Sequence, residues 1–250
     1  MEDNTIRSAR RIFSLIEQLA RQGAMGVTEL SIAAGLNKTT VFRQLNTLAS
    51  LGYVKKEENT EKYVLSFKLL EVAGMMLQHS DMRNMAHPFL EDLAAQTGET
   101  VHLVQREGVS IIYIDKVEPT VNSVRMVSRV GMRQPLYCTA VGKALLAELT
   151  DREIGLIWEN SDIQPLTPHT FVNFDDFKNE LNRVRLSGYA VDNEENELGV
   201  RCVAVSLRDY TGQARHAISI SAPLSRMSYE RLCDISSKLM QIKSEFSGKH

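Results

Sequence analysis

Residues 28–51 read TELSIAAGLNKTTVFRQLNTLASL. The spacing predicts two short helices joined by a tight turn. Thr28 is expected to cap the first, with Leu30, Ala33 and Ala34 on its apolar face. Gly35 ends that helix, because glycine takes the left-handed C-terminal geometry without a Cβ penalty. Asn37 caps the second, whose Val41, Leu45, Leu48 and Leu51 recur at helical spacing and point inward. Its opposite face carries Lys38, Thr39, Thr40, Arg43, Gln44 and Thr47, which can donate to phosphates and base edges. The pattern is a helix-turn-helix; the plainer reading is an ordinary helical hairpin.

Upstream, residues 5–22 read as a helix with Ile6, Ala9, Ile12, Phe13, Ile16, Leu19 and Ala20 along one face. Downstream, Tyr53–Lys56 and Lys62–Leu65 flank a polar loop and predict a hairpin over residues 53–65, the wing of a winged helix-turn-helix. Lys55, with Lys56 and Lys62, is placed to touch backbone phosphates, and three nearby glutamates limit that contact. The charge follows the same division. Residues 1–56 hold eight basic and four acidic side chains, a net +4, whereas the remainder is −6 in a chain of net −2. A basic head on an acidic body suits a DNA-binding module joined to a different job.

The 250 residues and 43% apolar composition allow one or two domains with a sizeable core. Cys138, Cys202 and Cys233 are scattered, with no C-x-x-C pair and no disulfide framework. Reduced thiols, no signal-length hydrophobic run and no bilayer-length apolar stretch lead to the expectation of a soluble, cytoplasmic protein without a membrane partner.

Ser66 to about Gln78 is expected as a connector helix, and Met82 to Thr97 as a second amphipathic helix containing Pro88. Met75, Met76, Met82 and Met85 are candidates for plain packing or a dimer contact. After Gly98 the period changes. Strands are predicted at Thr100–Gln105, Ile111–Val117, Val124–Val127, Val203–Leu207 and Ala217–Ser221, and helices at Thr139–Leu149, Asp175–Ser187 and Ser228–Phe246. The fold class is therefore α+β.

Three segments hold candidate chemistry. In PLYCTAVGKA (135–144), Thr139 is a credible N-cap, and the amides behind it suit an anion; most such helix ends bind only water. In residues 188–205, Asp192 follows the apolar Ala190–Val191 and is the carboxylate expected to turn inward, while Glu194, Glu195 and Glu197 read as a solvated loop. In ISIS (218–221), Ser219 and Ser221 share one strand face, which lines a polar site or faces solvent. No G-x-S-x-G elbow, H-x-x-x-H pair or phosphate-binding glycine loop occurs, so neither metal nor cofactor is expected.

Together these segments resemble the IclR family of bacterial transcription regulators over about residues 5–246. The matching stretches are TELSIAAGLNKTTVFRQLNTLASLGYV, PLYCTAVGKALLAEL, GYAVDNEENELGVRCVAV and ISISAPLSR. PLYC and DNEENELGVRC look most like the KdgR-like and YiaJ-like branch, whose members control sugar-acid and uronate catabolism in enteric bacteria. The resemblance implies a winged helix-turn-helix over residues 1–66, a linker helix over 67–81, and a GAF/PAS-like effector-binding and oligomerisation domain over 82–250. It implies a homodimer or homotetramer on palindromic double-stranded operator DNA, commonly a repressor, controlled by a small carboxylate effector. Carried over by motif, the effector residues are Ala140, Val141, Asp192, Val200, Cys202, Ser219 and Ser221. Ala140 stands where a glycine is frequent, and Val141 is bulkier than the usual residue, which alters pocket shape but not the backbone amides. A small-acid enzyme with an accessory DNA-binding head, and a ligand-independent DNA binder, are the competing readings.

Overall fold

The computed structural model describes residues 6–119, 126–209 and 211–247. The chain forms two compact units, Met1–His79 and Ser80–His250.

In the first unit, α1 (Arg7–Gln22), α2 (Val27–Ala34) and α3 (Lys38–Ser50) pack around Leu15, Leu19, Leu30, Val41, Leu45 and Leu48. The hairpin β1 (Val54–Lys56) and β2 (Tyr63–Leu65) adds Val54 and Tyr63 to that core. Met25 bridges to Tyr63 as a third strand position. Gly35 adopts φ 61°, the left-handed cap that ends α2. Asn37 caps α3, its side chain accepting from the Thr40 amide at 2.8 Å.

Several expectations change here. α2 starts at Val27, so Thr28 is its second residue rather than its cap; the Glu29 carboxylate reaches back to the Gly26 amide at 2.7 Å and does the capping. Ala33 is exposed, and Leu51 is 53% exposed because α3 has already ended at Ser50. In α1 the buried stripe runs through Leu15 and Leu19, which leaves Phe13 and Ile6 outside.

The helix α4 (Lys68–Gln78) buries none of its residues; Leu70, Met75 and Met76 all stay exposed. Its first residue ties it to the hairpin side, Lys68 Nζ donating to the Leu51 carbonyl at 3.1 Å and lying 5.3 Å from the Tyr53 ring centroid.

The second unit opens with α5 (Asp81–Thr97), continues through β3 (Thr100–Glu107), β4 (Ser110–Val117), β5 (Arg133–Pro135), α6 (Ala140–Leu146), α7 (Asp151–Glu159), α8 (Phe174–Ser187), β6 (Ala190–Asn193), β7 (Val200–Arg208) and β8 (Ala214–Pro223), and closes with α9 (Tyr229–Ser247). The six strands form one sheet in the order β5-β4-β3-β8-β7-β6, every pair antiparallel. The strand expected at Val124–Val127 falls partly outside the described residues, at 124 and 125, and Met126 and Val127 are irregular.

Register decides what each face of the sheet presents. Asp192 pairs with Cys202, and Cys202 with Ser221; one row along, Ala190, Ala204, Ser219 and His102 line up across four strands. Alternation puts these side chains on one face and Val101, Leu103, Val203, Val205, Ile218 and Ile220 on the other. The first face receives α6. Its Ala140, Val141, Ala144 and Leu145 pack on Ala190, Ala204, Ala217 and Val104, and the three alanines let the helix lie close. Gly142 lets the chain that leads into α6 fold back against the helix's first turn, since a Cβ there would sit 2.1 Å from the Leu136 carbonyl oxygen. α5 and α9 pack against β3, β4 and β7 and meet each other through Phe89 and Phe246, ring centroids 5.1 Å apart.

Candidate DNA-binding face and effector cavity

On α3, burial of Val41, Leu45 and Leu48 turns Thr39, Arg43, Asn46, Thr47 and Ser50 outward. Lys38 is exposed at the first turn, and Thr28 is exposed near the start of α2. Thr40 and Gln44 differ from the expectation. They are half-buried and turn toward α1, where they line a groove with Ser8, Arg11, Ile12, Arg43 and Thr47. Asn46 was not singled out from sequence, although it stands three residues after Arg43 on the same face. Thr47 donates its hydroxyl to the Arg43 carbonyl at 3.1 Å, so its oxygen is free only to accept. On the hairpin, Lys56 is paired with Glu61, and Lys62 with Glu29 at 3.4 Å. Lys55 is the exposed wing lysine with no such pair among the described residues.

In the second unit, a cavity of about 190 Å³ opens on the polar face of the sheet. Its lining brings together Val200, Cys202 and Ser221 of the sequence-derived set with His102, Tyr113, Gln134, Asn196 and Glu197. Met126, Val127, Ser128 and Met132 close one side. Ala140, Val141, Asp192 and Ser219 are buried beside this cavity without lining it. Both serines are buried, so the reading in which they face solvent is excluded.

His102 sits between two hydroxyls, Ser128 Oγ at 2.7 Å from Nε2 and Ser221 Oγ at 3.5 Å from Nδ1. Burial, reinforced by the Lys116 charge, lowers its pKa to about 3, so the imidazole is neutral. Lys116 itself holds the Met126 and Ser128 carbonyls at 2.9 and 2.6 Å. Burial raises the Tyr113 phenol and the Cys202 thiol and pushes the Cys138 thiol up to about 12, so all three are protonated near neutral pH. Among the cavity's lining residues Glu197 carries the charge; there is no lysine or arginine.

Asp192 does turn inward, at 4% exposed. Its Oδ1 accepts from the Glu195 amide at 2.8 Å and the Asn196 amide at 3.4 Å, so it holds the loop that carries Asn196 and Glu197 to the cavity. The Asn196 side-chain oxygen lies 3.6 Å from Cys138 Sγ, just before the α6 cap. The expectation of a solvated acidic loop fails at Glu195, which is 4% exposed and 2.5 Å from the ammonium of Lys143. Lys143 is wholly buried on α6, with Glu180 at 3.4 Å and the Phe171 ring at 5.4 Å. Thr167 and Thr170 bond the Glu194 and Glu195 carbonyls, each at 2.6 Å. This pinning had no local signal in the sequence beyond one lysine inside an otherwise apolar helix.

Burial is the main cause that raises Asp192 to about 6, against the opposing loop amides and Lys143. An acid whose folded pKa is raised contributes stability below its unfolded value and loses it as pH climbs through the folded one. Asp192→Asn keeps the oxygen that accepts from the loop amides and removes the ionisation. Its melting temperature is therefore expected to gain on the parent's as pH rises from about 4 to 7. A difference between the two that stays flat across that range contradicts the assigned burial.

A family model described as the C-terminal domain of the bacterial transcriptional regulator IclR matches residues 74–247, and one described as the IclR helix-turn-helix domain matches residues 8–58. The chain belongs to the IclR family. It is a DNA-binding transcriptional regulator of that family. The HTH-type transcriptional regulator KdgR of Escherichia coli is 38% identical over 231 residues, 92% of this chain and 88% of that protein. The DNA-binding transcriptional repressor YiaJ of Escherichia coli is 40% identical over 203 residues, 80% of this chain and 72% of its own length. Among solved structures, the Thermotoga maritima IclR superposes with a TM-score of 0.81 at 33% identity, over 98% of this chain and 99% of that one. No helix among the described residues of this IclR-family chain is long and apolar enough to cross a membrane.

Proposed function

We propose that this protein is an effector-controlled repressor of a carbohydrate or carboxylate catabolic operon, and not an enzyme. The observation that carries the proposal is a donor-lined α3 in one unit and, in the other, an open cavity on the sheet whose lining includes His102, Gln134, Asn196, Glu197 and Ser221. The name of YiaJ as a repressor supports the sign of regulation. The protonated thiols of the buried Cys138 and the half-buried Cys202 speak against nucleophilic chemistry in the cavity. The chain acts in the cytoplasm, its residues 1–66 on DNA and 82–250 on the effector, with 67–81 as the linker.

The effector in this reading is a small hydroxylated carboxylate. Its hydroxyl groups face Glu197, Gln134 and Asn196, and its carboxylate lies toward Ser221, the strand serine that lines the cavity, with Ser219, Ala140 and Val141 buried beside it. Thr139 caps the first turn of α6 through the Gly142 amide at 3.1 Å. Val200 and Cys202 supply apolar wall, and Asp192 acts by holding the 195–196 loop. A thermal-shift screen of aldonates, uronates and 2-oxo acids tests this, with at least one class expected to raise the melting temperature saturably. No stabilisation by any of the three, with operator binding intact, favours a ligand-independent DNA binder instead.

The DNA-binding form is an even-numbered oligomer on palindromic DNA. One recognition helix and one wing cover a half-site, and two-fold pairing puts two such helices about 34 Å apart, one turn of the duplex. The exposed Leu70, Met75 and Met76 of α4 are proposed as part of the pairing surface. Light scattering at micromolar concentration is expected to show a dimer or tetramer. A monomer with and without DNA contradicts this.

A further inference from the structure

The beginning of α1 is built against its own dipole. Arg7, Arg10 and Arg11 fall within its first five residues, its first turn has no acidic side chain, and Ile6 gives no side-chain cap. The free N–H groups and positive dipole end of a helix disfavour cations there and favour an anion. Neither Arg7 nor Arg11 makes an ion pair among the described residues. Independently, an open groove of about 310 Å³ runs between α1 and α3. Its walls hold two guanidinium groups, Arg11 and Arg43, and three hydroxyls, Ser8, Thr40 and Thr47, with no carboxylate. Gln44 adds an amide whose buried oxygen has no hydrogen-bond partner among the described residues. The two ends of such an amide exchange by a simple flip, so it can donate as well as accept.

We propose that this groove seats a DNA backbone phosphate, with Arg11 and Ser8 as its contacts on α1. The proposal rests on the reading of α3 as the recognition helix. When that helix enters the major groove, its flanks stand at the groove's edges, where the sugar-phosphate backbone runs, and the groove beside α1 lies on one such flank. A guanidinium matches two phosphate oxygens in a forked geometry, and the hydroxyls of Ser8 and Thr40 complete the set, since that of Thr47 is already donated to the Arg43 carbonyl. Arg43 then stands at the boundary, one side toward base edges and the other toward the seated phosphate. Arg11 serves affinity without serving sequence.

The test uses the full-length protein and two short duplexes, one of random sequence and one selected from a random pool by binding. Affinities are measured by fluorescence anisotropy between about 50 and 200 mM salt. Arg11→Gln is expected to weaken both duplexes alike, by roughly three- to tenfold, with the selected-to-random ratio unchanged. The log–log salt slope is expected to shrink by about 0.9 per phosphate lost, near 2 for a two-fold dimer. Arg11→Lys is expected to restore most of that slope. An unchanged slope and affinity in Arg11→Gln overturns the proposal, as does a loss confined to the selected duplex. Arg43→Ala, assayed in parallel, reports separately on α3: if it leaves the selected-to-random ratio intact, the reading of that helix fails, whatever Arg11 does.

Discussion

Arg43→Ala is expected to abolish specific operator binding while leaving effector binding in the second unit untouched. Arg43 is exposed on the outward face of α3, and the core residues Val41, Leu45 and Leu48 fix its direction. A bidentate contact to a guanine contributes about 1–3 kcal/mol of discrimination. A two-fold dimer makes that contact twice, so the loss is about 2–6 kcal/mol, or roughly 30-fold to more than 10⁴-fold in the specificity ratio. Because the side chain is in water and α3 keeps its Asn37 cap, thermal stability is expected to change little. A variant with full operator affinity and full discrimination places base recognition elsewhere, with Asn46 the next candidate on the same face.

Lys143→Met is expected to destabilise the second unit by about 3–5 kcal/mol, the range for removing one member of a buried ion pair. Lys143 is wholly buried and faces Glu195, with Glu180 beside it. Taking the cation away leaves carboxylates without compensation in a place where burial already holds Glu195 up at about 7. The loss corresponds to about 6–20 °C in the melting temperature of a unit of this size. It also has a sign in pH. A raised acid costs more as pH rises through its folded pKa, and removing Lys143 takes away an interaction that lowers it, so the deficit is expected to be larger at pH 8 than at pH 6. Lys143→Met/Glu195→Leu is expected to recover much of the loss, since replacing both partners removes the unpaired charge. A single-variant loss under 1 kcal/mol contradicts a structural role for the pair.

The head of the protein was legible because its signals are local. Gly35 and Asn37 mark adjacent helix ends, and the Val41–Leu45–Leu48 spacing closes within one helix. The errors there are errors of phase and of the last turn. Phe13 and Leu15 both fit a plausible apolar stripe, and only packing against α2 and α3 selects Leu15. Leu51 follows the period but lies beyond the helix end.

The second unit was less legible because its site is assembled across the chain. β5 (Arg133–Pro135) and β6 (Ala190–Asn193) are three- and four-residue edge strands without an apolar run, and they show only as partners of β4 and β7. Alternation did place Ser219 and Ser221 on one face, yet alternation says nothing of what lies opposite. His102 reaches Ser221 from another strand, at a separation of 119 residues. The Lys143–Glu195 pair spans 52 residues, so an acidic loop that reads as solvated holds a buried carboxylate. Asp192 turns inward as its apolar approach suggests, and its Oδ1 accepts from the loop amides of Glu195 and Asn196.

Under the proposed function, a ligand in the sheet cavity controls how α3 holds DNA. Operator affinity measured by anisotropy, with and without the sugar acid or 2-oxo acid that gives the largest thermal shift, tests it most directly. Saturating ligand is expected to weaken binding to the selected duplex by about 5–150-fold, the usual span of an allosteric coupling. Ser221→Val is expected to remove the effect while the ligand-free affinity stays as in the parent. A stabilising ligand that leaves operator affinity unchanged contradicts it.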